Sequence, residues 1–248
     1  MRSLDVFADS MRLEIVALPN LPEVRRGDDL ATLIAATDID QSVIVAVAQK
    51  IVSKSEGAMV DLRLIQPSAL ARSWAQEWNK DARLIELILS QSRRIVKMDR
   101  GVIIAETLHG LVCANAGVDQ SNVPGDDFAT VLPSDPDASA LRLRTSLGCG
   151  AVIITDTFGR PWREGLVDIA IGVAGLDSLD DHRGRTDRHG RKLASTIIAV
   201  ADQLAAAAGL VMRKAAGCPV ALIRGFEWQT AEGSARALLR KPEQDLFR

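Results

Sequence analysis

The sequence predicts an α+β fold built on a mixed sheet with irregularly interleaved helices. Three observations carry that expectation. Apolar runs rich in β-branched residues at 42–52, 151–155 and 219–224 have the makeup of strands, the one at 151–155 buried on both faces. Apolar residues recur at helical spacing through 67–92, and an alanine-rich stretch covers 192–215. These segments follow one another without the regular strand and helix alternation of a doubly wound sheet.

In chain order, residues 13–18 form a short strand, and residues 19–29 a loop, because two prolines and a Gly-Asp pair interrupt them. Asp28 or Asp29 caps a helix over 30–36. Residues 42–52, SVIVAVAQKIV, give the strongest strand signal of the first half and put Lys50 and Lys54 near its end. A lysine there can meet a phosphate as a point charge; solvated lysines on a sheet edge are the plain alternative. Residues 67–92 are helical, with Leu70, Trp74, Trp78, Leu84, Leu87 and Ile88 as packing positions and Asn79-Lys80-Asp81 as a break. A strand over 102–106 turns at Leu108-His109-Gly110 into a second strand over 111–117. Residues 128–132 make another short strand, and the Pro- and Asp-rich stretch 133–137 starts a helix over 139–147. After 151–155 come a small apolar run at 169–175 and a charged, Gly-containing loop over 177–191 of the length that often serves function. The longest helix is expected over 192–215, ended by Gly217, and with the strand at 219–224 it resembles a crossover packed on the sheet. A short helix over 235–239 completes the chain.

With 248 residues, a single domain over 1–248 can bury a substantial core and still hold two subdomains. Hydrophobic and charged fractions of 47% and 25% suit a soluble enzyme, and a net charge of −2 leaves no basic field for nucleic acid. No apolar run is long enough for a bilayer or a secretory signal, so the expected location is the cytoplasm, with no membrane partner. Cys113, Cys149 and Cys218 are scattered among small or apolar neighbours and read as reduced core thiols. His109, His182 and His189 lack zinc-ligand spacing, and His109 reads as structural or exposed. Tyrosine is absent, which weakens any site built on base stacking. The chain also carries no GxxxxGK[ST] loop, GxGxxG fingerprint or GxSxG elbow, so a nucleotide would have to be held by another route.

The chemistry concentrates in residues 151–165, AVIITDTFGRPWREG. Asp156 and Thr157 leave the carboxyl end of a buried strand, where open sheets bind ligands and hard cations. Arg160 and Arg163 follow with planar guanidinium groups suited to phosphate or carboxylate. A strand closing in an Asp turn with surface arginines explains the same residues without function. A second run ends alike: 111–117 leads into Asp119, with Asn122 three residues on. Two carboxylates on neighbouring strand ends suit Mg²⁺ or Mn²⁺ completed by phosphate oxygens and water.

Together these segments resemble the coenzyme F420-0:L-glutamate ligase family. The carrying motifs are Leu21-Pro-Glu-Val24 with Gly27-Asp-Asp29, the stretch QKIVSKSEG at 49–57, AGVDQSN at 116–122, ITDTFGRPWR at 154–163 and PVALIRG at 219–225, in the family's order. The resemblance implies a two-lobed α+β fold, an intertwined homodimer, and GTP-dependent addition of L-glutamate to the deazaflavin precursor F420-0 with two divalent ions, Mg²⁺ or Mn²⁺, and K⁺ as a further cation. Carried over, it makes Asp119, Asp156 and Thr157 metal ligands, and Leu21, Pro22, Glu23, Val24, Gln49, Lys54 and Asn122 nucleotide contacts, with the backbone from Met212 to Pro219 close by. Gln49 stands where some members carry Ser. Asp119, Asp156, Lys54 and Arg160 would serve catalysis, and no fused C-terminal flavin domain follows. The residues themselves also fit a metal-dependent phosphohydrolase, a nucleotide-binding module without chemistry, or the same ligation on another acid.

Overall fold

The structure, a computed structural model, describes residues 12–35, 39–214 and 216–246. The chain runs β1 (Glu14–Ala17), α1 (Leu30–Ile34), β2 (Ile44–Ala48), α2 (Gln49–Ser55), β3 (Met59–Asp61), α3 (Ala69–Trp78), α4 (Ala82–Ser90), β4 (Ser92–Asp99), β5 (Val102–Thr107), β6 (Val112–Ala114), β7 (Phe128–Thr130) and α5 (Pro136–Leu147). It continues through β8 (Ala151–Arg160), β9 (Arg163–Ala174), β10 (Asp180–Asp181), β11 (Ile197–Ile198), α6 (Val200–Met212) and β12 (Val220–Arg224).

The central sheet has the order β1-β12-β2-β8-β9. β2 and β8 run parallel, while β1 with β12, β12 with β2, and β8 with β9 are antiparallel, so the sheet is mixed as the sequence predicts. β9 and β12 therefore point the same way, and α6 between them is a crossover packed on the sheet. Alternation along β2 supplies both faces. Ile44 and Ala46 pack with Ile153, Leu204, Ala205 and Ala208 beneath α6. Val45 and Val47 pack with Ile154, Ile34, Val52 and Leu143 beneath α1, α2 and α5. Ile153 and Ile154 are each fully buried, on opposite faces, and each such side chain contributes roughly 2 kcal/mol by leaving water. A third core gathers Leu62, Ala71, Ile85, Ile88, Ile103 and Ala105, where α3 and α4 meet the three-stranded β4-β5-β6 sheet.

The expected break at 79–81 divides α3 from α4: Asn79 adopts φ 49° as a left-handed cap, and Asp81 accepts from the Arg83 amide at 2.8 Å. Of the two candidates for the cap of α1, Asp29 takes the role, accepting from the Ala31 amide. Other boundaries move. The run 42–52 is strand to Ala48 and helix from Gln49, because a continuous apolar run does not by itself distinguish the two periods. The helix expected over 139–147 opens earlier, at Pro136, with Asp135 as its cap. The strand expected over 111–117 shrinks to β6, and Asn115–Gly117 form a 3-10 turn with Ala116 at φ 51°. The expected 128–132 strand is β7, and the 235–239 helix is a 3-10 turn over Ala235–Leu238.

The largest departure concerns 192–215: α6 covers Val200–Met212, whereas Ile197–Ile198 pair with Asp180–Asp181 as a small ribbon. The β-branched run Thr196-Ile197-Ile198 favours extended backbone, and the alanines start the helix only after it. Ala36 and Ala215, ends of two expected helices, lie outside the described residues. Cys113 and Cys149 are buried free thiols, but Cys218 is half-buried rather than in the core. His109 is structural, its Nε2 2.9 Å from the Pro133 carbonyl oxygen. Among the described residues no helix is long and apolar enough to cross a membrane.

Candidate functional site

A cavity of about 650 Å³ opens where β2 ends beside β8. Pairing between these parallel strands runs from Ile44 with Ala151 to Ala48 with Thr155. Beyond that point β2 becomes α2, whereas β8 continues to Arg160 as a hairpin with β9. Asp156 is thus not at the end of its own strand, as the sequence suggests, but at the first position past the end of its parallel neighbour. A register shift against β9 between Ile154 and Thr155 falls at the same place.

Five segments bring the polar groups together. The loop before α1 contributes Leu21, Pro22, Glu23 and Val24, and α2 contributes Gln49, Lys50 and Lys54. The stretch before β7 contributes Asp119, Ser121 and Asn122. The β8–β9 hairpin contributes Asp156, Thr157 and Asp168, and the end of α6 contributes Gly209, Met212, Arg213 and Lys214, with Cys218 and Pro219 beyond. Helical geometry in α2 places Lys50 and Lys54 one turn apart on one side, which a strand would also have allowed but at greater spacing.

Asp119 is held by a two-way backbone bridge to Thr130, with N to O distances of 3.0 and 2.8 Å. Its Oδ2 lies 2.8 Å from Lys50 Nζ, and the Ser121 amide and hydroxyl donate to its two oxygens at 2.6 and 2.9 Å. Burial works to raise the Asp119 pKa, but Lys50 and the Ser121 bonds outweigh it and hold the carboxyl below its usual range. Asp156 behaves oppositely. Desolvation, with the Asp119 charge adding to it, pushes its pKa up to about 6 against one amide bond from Thr157 and the more distant Lys214 and Lys50. Two carboxylates in one cavity driven in opposite directions mark a site built for charge rather than for stability. Lys54 is nearly buried at 8% side-chain exposure, and its ammonium meets Glu23 at 2.5 Å, a carboxylate that is 72% exposed.

Asp168 was not foreseen. It faces Thr157 across the hairpin and accepts from the Thr157 hydroxyl at 2.5 Å. Recognising Pro161-Trp162 as a hairpin turn would have placed the two residues opposite each other. Gly209 sits against it: a Cβ on Gly209 would collide with the Asp168 carboxylate. An α6 that is otherwise rich in alanine thus carries glycine where it weakens the helix by about 1 kcal/mol relative to Ala.

Arg160 is not brought into this cavity. It closes the hairpin opposite Arg163, donates to the Gly165 carbonyl at 3.3 Å and to the Glu164 carbonyl, and lies half-buried at the far end of the hairpin, next to the turn where Trp162 is 82% exposed. The sequence spacing of four residues from Asp156 misleads because an extended strand carries Arg160 roughly 13 Å away. Arg160→Ala is expected to keep steady-state turnover within about twofold of the parent, as for a side chain outside the cavity that bonds only within its own hairpin.

Among the described residues no three His, Cys, Asp or Glu side chains converge as a ready-made metal cage. The donors present, two carboxylates and a hydroxyl, fit a hard cation that completes its shell with phosphate oxygens and water. The sequence pattern of the F420-0:Gamma-glutamyl ligase family matches residues 19–225, a span that includes every segment lining the cavity. The chain belongs to this family. Its similarity to individual gamma-glutamyl ligases extends along nearly the whole chain. It is 44% identical over 252 residues to the coenzyme F420:L-glutamate ligase of Methanothermobacter thermautotrophicus, covering 96% of this chain and 100% of that one. The enzyme of the same name from Methanopyrus kandleri is 46% identical over 250 residues, covering 96% and 98%. That of Methanocaldococcus jannaschii is 40% identical over 249 residues, covering 97% and 98%.

Proposed function

We propose that this ligase joins L-glutamate to the carboxylate of F420-0 at the expense of GTP, in the biosynthesis of coenzyme F420. The observation that carries the reading is the meeting of Asp119, Asp156 and Thr157 with Lys50 and Lys54 in one cavity large enough for a nucleotide's phosphates. The reaction proposed has two steps. The precursor carboxylate attacks the γ-phosphorus of GTP, releasing GDP and leaving an acyl phosphate; the glutamate amine then attacks the acyl carbon, loses a proton and expels phosphate. Neither step needs a covalent bond to the protein, so the demand falls on positioning and charge neutralisation.

The chain's residues suit that demand. Asp119, Asp156 and Thr157 would hold two divalent cations, Mg²⁺ or Mn²⁺, which when bound neutralise the polyphosphate and polarise the phosphorus. Lys54, lying against the 21–24 loop and shielded from water, offers its ammonium to phosphate oxygens. Gln49, Asn122 and the 21–24 loop line the cavity where the rest of the nucleotide would lie. The same reading includes a single domain over 1–248, the two-lobed intertwined homodimer of the resemblance and K⁺ as an accessory cation.

Mass spectrometry of F420-0 incubated with the protein, GTP, Mn²⁺ and L-glutamate is expected to show added glutamyl residues, with none when glutamate or GTP is omitted. Phosphate released from GTP without either acid would instead indicate a hydrolase, and an unchanged precursor under all conditions would refute the ligase reading.

A further inference from the structure

We infer that Asp168 is a positioning residue that fixes Thr157 in its cation-binding orientation, and that Gly209 exists to leave room for it. A threonine hydroxyl has one proton to give and two lone pairs to offer. Here the proton is committed: Thr157 Oγ1 donates to Asp168 Oδ1 at 2.5 Å, the short distance of a hydroxyl bonded to a charged acceptor. What remains on Oγ1 for the cavity is acceptor capacity alone, which is what a hard cation requires.

The carboxylate is itself pinned. Its Oδ1 takes the Thr157 proton, and its other oxygen lies where a Cβ of Gly209 would be. The carboxylate is thus set by its bond to β8 and its fit against α6, and from its place in the cavity lining Asp168 acts on the cation through Thr157. The arrangement is overdetermined by the fold. The hairpin register sets Thr157 opposite Asp168, and α6 crosses the back of β9 with glycine at the contact. An outer carboxylate or hydroxyl that orients an inner ligand is worth about 10–100-fold in metal affinity in comparable sites.

The inference rests on the reading of this cavity as a cation and nucleotide site, and the experiment separates the two. Mn²⁺ binding to the full chain in the presence of a non-hydrolysable GTP analogue is measured by electron paramagnetic resonance and calorimetry, with thermal unfolding as the check on folding. The parent is expected to bind. Asp168→Ala should weaken Mn²⁺ by about 10–100-fold, and Gly209→Ala, which alters no proposed ligand, should weaken it by at least about tenfold by pushing the carboxylate off Thr157. Asp168→Asn keeps an oxygen acceptor for the hydroxyl and should remain within about threefold of the parent. A parent that fails to bind Mn²⁺ would remove the cation site itself, and this inference with it. A parent that binds, with Asp168→Ala and Gly209→Ala binding equally well, would overturn the positioning role and leave the site standing. Asp168→Asn as weak as Asp168→Ala would show that the carboxylate acts by its charge, as a ligand, and would overturn the role too.

Discussion

Asp156→Asn is expected to lower glutamate ligation by at least about 1,000-fold and, at the same time, to stabilise the cation-free protein at pH 8. The two effects have one cause. Desolvation holds the Asp156 pKa at about 6, with the Asp119 charge adding to it, so the ionised carboxylate is disfavoured in the fold unless a cation arrives. An acid whose pKa is raised on folding keeps its proton while the unfolded chain loses its own. Between the ordinary value of 3.8 and about 6 stability therefore falls as pH rises, and above about 6 the whole penalty is in place. The shift corresponds to about 3 kcal/mol before screening by the solvent that reaches this half-buried group, so roughly 2 kcal/mol is expected. Asn has the same shape and no charge. Thermal unfolding in chelator should show the variant above the parent at pH 8 and level with it near pH 4. The opposite pH dependence from Asp119 is common to both chains apart from its coupling to Asp156, which is already part of the Asp156 shift. A variant less stable than the parent at pH 8 would overturn the burial penalty, and one that still ligates would show that Asp156 does not hold a required cation.

Asp119, Asp156 and Thr157 are legible in the sequence because each follows a run that reads as a buried strand, and a carboxylate there has no packing role. Lys54 is harder to read. Just past the strand expected over 42–52 it would be a solvated edge lysine, and only the switch to helix at Gln49 buries it. Apolar runs do not announce that switch, because Ile51 and Val52 are buried in either geometry. Asp168 and Gly209 are invisible for a different reason. Their meaning depends on a hairpin register and on where α6 crosses β9, both of which are tertiary. Arg160 is the converse case: a residue of the right chemistry four positions from the site, which strand geometry carries away. The helix expected over 192–215 starts only at Val200, because the extended preference of Thr196-Ile197-Ile198 outweighs the alanine propensity around it.

Lys54→Met is expected to reduce kcat/KM for GTP by roughly 100-fold, the scale of removing one charge that stabilises a transferring phosphoryl group. Met keeps the length of the stem, which matters because the side chain is 8% exposed and its methylenes are packed. Glu23 is the acceptor its ammonium now has, and that carboxylate is largely in water, so the pair gives little stability and the loss of Lys54 should leave the melting temperature almost unchanged. The arrangement has a consequence for binding order. Glu23 satisfies the buried ammonium here, and under the proposed function a GTP phosphate oxygen, bringing more charge, is expected to take its place. Glu23→Gln should then tighten GTP by a few-fold, since a neutral amide competes less well for the ammonium. Isothermal titration of both variants with GTP and Mn²⁺ distinguishes the roles: weaker binding in Lys54→Met with tighter binding in Glu23→Gln supports the exchange of partners, and weakening in both would mean that Glu23 contacts the nucleotide itself.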